Sequence, residues 1–369
     1  MSSRFQTRQI VGLLASIAVL AVLLWIPQNY GSTTVNLFTT ALYFGIAAMG
    51  LNILTGYNGQ VSIGHGAFFA VGGYTTALLM RDREWAFLQT IPVVIVVCLV
   101  FGAAVGFPAL RVKGLYLALV TLGLAVTIPD LARKFINGDG GIWEPNGEPG
   151  TVAVPLKSLN APNWFDWFPQ SIAERFDEWI QPGRDGRDQW AFYLALGLGL
   201  VLLGFAVIIA RSRFGRSLIA VRDHEAAAAT VGINLARVKI TAFAISAAYA
   251  GVAGSIAVLI DRSANTDKIS VFQDSILFLV AVVIGGTATI VGPILGGFLV
   301  VFFQDWATDQ QTLTDILDEQ RAKLFSPALF GIALIVAMYF MPDGLVGGSR
   351  RLLRRLTRRK APEPAPVLT

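Results

Sequence analysis

The sequence predicts an all-α integral membrane protein, a polytopic helical bundle with about ten transmembrane spans, some of them broken by glycines. Three observations carry this prediction. Hydrophobic residues make up 54% of the 369 and charged residues only 14%, with a mean hydropathy of +0.60, a balance that belongs to multi-span membrane chains. Apolar runs of span length recur from end to end. Lys and Arg gather in segments that alternate consistently with those runs.

A hydrocarbon core about 30 Å thick takes about 20 residues of helix. Ten stretches fit that measure: 10–26, 34–54, 61–80, 88–108, 114–132, 190–210, 238–260, 272–287, 290–304 and 325–341. The pair within 272–304 reads equally as broken or re-entrant segments. Arg4 and Arg8 precede the first run as they would in a signal peptide, but no small-residue cleavage site occurs at Trp25-Ile26-Pro27, so a retained helix is expected.

Basic residues accumulate on the cytoplasmic side. Starting Arg4 and Arg8 inside places Arg111 and Lys113 inside, and also the loop holding Arg211, Arg213, Arg216, Arg222, Arg237 and Lys239 against only Asp223 and Glu225. The predicted outside segment 304–324 carries five acids against two bases. The expected organisation is a permease domain over 1–349, with an outside insertion at about 137–189 and a cytoplasmic loop at about 211–237, then a basic, Pro-containing cytoplasmic tail over 350–369. Both termini are then cytoplasmic. Arg350, Arg351, Arg354, Arg355, Arg358, Arg359 and Lys360 supply most of the net +5. They read as an anchor beside anionic membrane lipid, with no nucleic-acid partner expected.

Several chemistries are poorly served by this chain. Cys98 is the only cysteine and sits in an apolar run, while His65 and His224 form no ligand motif, so no metal site is expected. No GxxxxGK[ST] phosphate loop occurs. Ser62 and His65 stand at i and i+3 without an orienting acid, which argues against a hydrolytic site and gives no catalytic residues. An ion-coupled secondary transporter would carry intramembrane charge; Asp130, near a span end, is the acid weighed for it.

The outside insertion is dotted with Trp143, Trp164, Trp167 and Trp179, as at a membrane interface. Within it, SIAERFDEWIQPG (171–183) has a capping box from Ser171 to Glu174 and a Pro182-Gly183 stop, and predicts a short surface helix. TLTDILDEQ (312–320) predicts another.

Two glycine-rich stretches interrupt the spans. GYNGQVSIGHGAFF (56–69) sets Gly56, Gly59, Gly64 and Gly66 among Asn58, Gln60, Ser62 and His65, and Gly72 and Gly73 follow. Either the glycines let the chain unwind around a polar substrate pathway, or they serve close packing with the polar groups bonded to backbone. GGTATIVGPILGG (285–297) repeats the theme with Gly285, Gly286, Gly292 and Pro293, where the missing proline N–H predicts a hairpin or kink. On the cytoplasmic side, FGRSLIAVRDHEAAAATVGINLARVK (214–239) contains an alanine-rich helix from Asp223 to Val231 that Gly232 stops or bends. Such a helix has nothing in its own loop to bury against, and reads as a docking element or a solvated connector.

The stretches 54–79, GLYLALVTLGLA (114–125) and GRSLIAVRDHEAAAATVGINLARVKITAFAISAAYAGVAGSI (215–256) resemble the LivM-like permease subunits of branched-chain amino acid ABC importers, and the late glycine motif fits them too. The resemblance covers most of the chain in order. It implies a transport subunit, not an enzyme, in the cytoplasmic (inner) membrane. The implied partners are a LivH-like second permease, two ATP-binding subunits and an external substrate-binding protein. No cofactor is implied for this chain, ATP and Mg being used by the partner subunits. Arg222, Asp223, Glu225, Ala226, Ala227 and Gly232 correspond to the element that docks on an ATP-binding subunit, although Gly232 follows Glu225 by seven residues where the EAA-x-x-x-G pattern of other importers has six. The outside insertion exceeds what the family implies. Related systems carry urea or short amides, so the substrate class stays open between these and branched-chain or similar amino acids.

Overall fold

A computed structural model describes residues 18–112, 114–137, 151–153, 184–265 and 271–308, together with 331, 332, 335, 339 and 344–348. Arg4, Arg8, the helices expected within 171–183 and 312–320, most of the tenth span and the basic tail lie outside the described residues.

The described chain runs α1 (Ala18–Asn29), α2 (Ser32–Asn52), a π-helical turn (Ile53–Tyr57), α3 (His65–Asp82), α4 (Phe87–Gly106), α5 (Leu115–Asn137), β1 (Thr151–Ala153), α6 (Arg184–Arg211), α7 (Arg213–Asp223), α8 (Glu225–Thr230), α9 (Leu235–Asp261), β2 (Ser263–Asn265), α10 (Val271–Gly285) and α11 (Gly292–Thr308). Among the described residues, four helical stretches are long and apolar enough to cross a membrane alone: Ser32–Tyr57, Phe87–Leu110, Asp188–Arg211 and Leu235–Asp261. Shorter apolar helices lie at Ala18–Asn29, Tyr116–Ala132, Val271–Gly285 and Gly292–Trp306. The architecture is that of a helical, multi-pass membrane protein.

The core forms around α9, which packs against α2, α3 and α4. Its sequence explains why. Small residues on successive turns, including Ala247, Ala250, Gly251 and Gly254, let neighbouring backbones come close, and with no water to expel between spans, close van der Waals fit is what holds them. A Cβ on Gly254 would collide with the Phe69 carbonyl of α3, and one on Gly102 of α4 would lie 2.5 Å from Ala247 Cβ. Thr76 Oγ1 donates to Ser255 Oγ at 2.7 Å, and Ser255 Oγ lies 3.0 Å from the Gly251 carbonyl that accepts its proton, so the hydroxyls between α3 and α9 find partners inside the bundle. Tyr249 Oη donates to the Leu202 carbonyl at 2.8 Å and joins α9 to α6. By contrast α6 exposes Val201, Phe205 and Ile208, and α4 exposes Val96 and Val100, apolar faces suited to lipid. Cys98 is buried against Gly251, where it serves packing.

Two features amend the expected fold. A small antiparallel sheet pairs Thr151 with Asn265, Val152 with Ala264 and Ala153 with Ser263, so the segment expected as an outside insertion is tied at 151–153 to the chain leaving α9. The ion pair of Arg262 with Asp188, at 3.4 Å, reinforces the same end. The helix expected from residue 61 starts only at His65, because the preceding residues run in non-helical form.

Candidate functional site

The interruption between α2 and α3 begins inside α2. After Asn52 the helix widens into the π-helical turn, and Gly59, at φ +74°, reverses the chain in a conformation that a Cβ would disfavour. Gln60 N–H donates back to the Leu54 carbonyl at 3.2 Å, and Thr55 Oγ1 donates to the Gln60 carbonyl at 3.0 Å. α3 then starts beside the middle of α2: His65 Nε2 lies 2.9 Å from the Ala47 carbonyl. At 1.5 Å per residue, Ala47 stands about 15 Å along α2 from the end of the π-turn. The chain therefore turns back along α2 before becoming helical again.

Backbone donors in such a stretch need partners from within the protein. Thr121 of α5 supplies one, accepting from Ile63 N–H at 3.1 Å, and Ser275 of α10 supplies another, accepting from Gly66 N–H at 2.8 Å. Cβ atoms on Gly64 and Gly66 would strike the carbonyls of Thr121 and Val271. These glycines are needed for close approach. Thr121 and Ser275 were not identified from sequence; their hydroxyls also donate locally to Ala118 and Val271, so each reads as an ordinary helix residue until α3 is placed against it.

Asn58, Gln60, Ser62 and His65 are 3%, 8%, 0% and 0% exposed. Asn58 Nδ2 donates to Gln60 Oε1 at 2.7 Å. Asn58 Oδ1, Ser62 Oγ and His65 Nδ1 are buried without a protein partner. The structure thus gathers all four into one interruption, enclosed by the chain's own helices in this conformation. His65 Nε2 has the backbone partner that the packing alternative expects, whereas Ser62 does not.

The second glycine stretch forms a hairpin. Gly286 at φ +109° and Ala288 at φ +56° turn the chain between α10 and α11, and Gly285 and Gly292 pack backbone to backbone. Pro293 is the second residue of α11, where a missing N–H costs no helical bond. The helices have 15 and 17 residues, about 22 and 26 Å long, each short of a 30 Å core. Asn52 joins the two interruptions: its Oδ1 accepts from Ala288 N–H at 2.9 Å and its Nδ2 donates to the Thr289 carbonyl at 2.7 Å. Asn52 also went unrecognised in the sequence. Its one signal was a carboxamide inside an apolar run.

The loop at about 211–237, expected on the cytoplasmic side, differs from its expected form. Asp223 ends α7, and His224 is extended, with its Nδ1 accepting from Ala227 N–H at 3.3 Å to cap a separate six-residue α8. Gly232, at φ +84°, terminates the element, while Asn234 caps α9 through Arg237 N–H at 2.9 Å. Ala228 is buried; Ala226, Ala227, Ala229, Thr230 and Gly232 are exposed, and Val231 is 76% exposed. Two charges expected to face outward are engaged within the chain. Glu225 pairs with Lys239 of α9, and Arg222 Nη1 donates to the Gly56 carbonyl at 3.0 Å. Asp223 remains exposed beside Arg222. Asp274, partly buried in the first turn of α10, is an acid within the span expected at 272–287 that sequence reading passed over in favour of Asp130.

Comparison with known proteins gives the family of the chain. The family model described as the permease component of a branched-chain amino acid transport system matches residues 33–341. The high-affinity branched-chain amino acid transport system permease protein LivM of Escherichia coli (strain K12) is 29% identical over 92% of this chain and 76% of its own length. Its counterpart in Salmonella typhimurium is 28% identical over 91% of this chain and 75% of its own. The permease protein BraD of Pseudomonas aeruginosa is 23% identical over 86% of this chain and 96% of its own. No solved structure matches.

Proposed function

Because the chain belongs to the family of permease components of branched-chain amino acid transport systems, we propose that it is the LivM-like transmembrane subunit of an ATP-driven importer for branched-chain or similar amino acids. It acts with a second, LivH-like permease, two ATP-binding subunits that use ATP and Mg, and an external binding protein. About ten spans, with both termini in the cytoplasm, give the permease domain over 1–349 and its basic tail.

The observation that carries this reading is the exposed α8. A six-residue helix is marginal by itself, yet it presents Ala226, Ala227, Ala229, Thr230 and Val231 outward at the end of the molecule where α2 is interrupted. These residues with Gly232 form the docking face for an ATP-binding subunit. Movement there switches packed helices between inward and outward access. The polar residues Asn58, Gln60, Ser62 and His65 belong to the pathway, closed in this conformation, with Gly56, Gly59, Gly64, Gly66, Gly285, Gly286, Gly292 and Pro293 as its hinges and close contacts.

Purification provides the test. The permease should co-purify with its ATP-binding subunits and take up substrate into liposomes only when they and the binding protein are present. Uptake by the permease alone would sink the proposal.

Two further outcomes are expected. Gly232→Val places a β-branched residue at positive φ, which costs about 1–2 kcal/mol, whereas Gly232→Asn tolerates that backbone. The valine variant should lower substrate-stimulated ATP hydrolysis several-fold and the asparagine variant should stay near wild type; equal rates would remove Gly232 from the coupling element. Ser62→Leu should lower uptake about tenfold with assembly intact, because it introduces bulk and removes polarity where no protein partner is satisfied. His65→Leu should also lower uptake, but with a loss of thermal stability of about 1 kcal/mol from the lost hydrogen bond between His65 Nε2 and the Ala47 carbonyl. Normal uptake in both would leave these residues to packing.

A further inference from the structure

The two interrupted helices and the cytoplasmic loop meet at one place, and the side chains that join them are Arg222 and Asn52. Arg222, next to last in α7, sends Nη1 to the Gly56 carbonyl at 3.0 Å, across 166 positions of sequence, while its Nε donates to Asp223 Oδ1 at 2.9 Å. Its stem lies over Gly59, where a Cβ would come within 2.7 Å of Arg222 Cγ. In the same π-turn, a Cβ on Gly56 would lie 2.6 Å from Ala288 N and would also strike Asn52 Oδ1. Asn52, 1% exposed, holds the α10–α11 turn through Ala288 and Thr289. The contacts therefore run without a gap from the loop, through the π-turn, to the second turn.

The parts suit a mechanical joint. A π-turn is where the regular helical ladder is disrupted, so it is the compliant section of α2 and can shift without unwinding the whole helix. Ala288 is held at φ +56°, a region that non-glycine residues leave unless neighbours hold them, and Asn52 grips its N–H. The guanidinium, with its planar set of donors, can hold Asp223 and Gly56 together in a way that one ammonium cannot. Its side chain is about one-third exposed, so the link is accessible from the loop yet directed inward.

We propose that Arg222 is the positioning residue through which movement of the cytoplasmic loop reaches the membrane helices, with Asn52 passing the displacement from the α2 π-turn to the α10–α11 turn. In this role Arg222 is not a docking contact for the ATP-binding subunit. The proposal rests on the importer reading above and assigns a coupling role within it.

The test uses the full complex of permeases, ATP-binding subunits and binding protein in liposomes, with leucine uptake and ATP hydrolysis measured together. Arg222→Ala should co-purify with the ATP-binding subunits at wild-type yield, yet transport about tenfold less substrate per ATP hydrolysed. Arg222→Lys, which keeps the charge and one donor direction, should recover part of that ratio. Combining Arg222→Ala with Asn52→Ala should cost little more than the worse single change, since both cut the same link. Loss of co-purification in Arg222→Ala would make the residue a docking contact and overturn the proposal. An unchanged transport-to-hydrolysis ratio in Arg222→Ala would also overturn it, as would single effects that multiply in the double variant. Wild-type permease that transports alone would overturn the importer reading itself, a result recognisable before any variant is made.

Discussion

Gly254→Val is expected to prevent assembly of the helical bundle. Any Cβ at that position would run into the Phe69 carbonyl, lying also 2.8 Å from its carbon and 3.1 Å from Gly73 N, and these are backbone atoms that no rotamer change can move aside. Relieving the clash means separating α3 from α9, which would also part Thr76 from Ser255. Overpacking of this kind costs about 3 kcal/mol or more. The expected readout is loss of monodisperse detergent-solubilised protein at otherwise normal expression. The matched comparison is Gly123→Ala on α5 and Gly204→Ala on α6, where a Cβ meets nothing within 4 Å. Those changes should hold or raise thermal stability, because alanine is the better helix former by up to about 1 kcal/mol. Gly254→Val protein as stable as wild type would show that α3 and α9 do not approach as closely as described.

The second large effect is expected from Glu225→Lys. Lys239 is buried, only 6% exposed, and Glu225 is its ion-pair partner. Removing one member of a buried pair leaves an uncompensated charge, worth about 3–5 kcal/mol when both are buried; Glu225 is partly exposed, so about 2–3 kcal/mol is the figure to expect. The reversed charge would push α8 away from α9 and spoil the surface proposed above for docking of an ATP-binding subunit. Co-purification of that subunit should fall at least tenfold, and Glu225→Lys combined with Lys239→Glu should restore part of it. Rescue places the effect inside the permease. Failure of rescue, with Glu225→Gln still assembling, would mean that Glu225 contacts the ATP-binding subunit directly.

Sequence reading reached the broad design because membrane helices announce themselves in composition. The positions expected for α2, α4, α6 and α9 match within a few residues, since an apolar run of span length has few alternatives once lipid is the solvent. Glycine identities were legible as well: Gly59 and Gly232 adopt the positive φ that glycine allows, and Gly64 and Gly66 stand where carbonyls approach. The helix breaks at 58–64 and 286–291 were visible as glycine clusters, although their geometry was not.

Other features depended on partners far away in sequence. Whether Arg222 and Glu225 face a partner protein or their own chain cannot be read from a loop, because the Gly56 carbonyl and Lys239 enter only when α2 and α9 are placed beside it. Asn52, Thr121 and Ser275 carry no motif; each acquires its role from a backbone group 58 to 237 positions distant. The pairing of 151–153 with 263–265 likewise depends on bringing two loops together. By itself, then, the sequence determined the solvent, the spans and the places where helix must yield, since hydrophobicity and backbone freedom are local properties of residues. Only the tertiary structure decided which polar groups satisfy one another across those breaks, since a hydrogen bond needs two groups within about 3 Å and in line, a relation that no single stretch of chain contains.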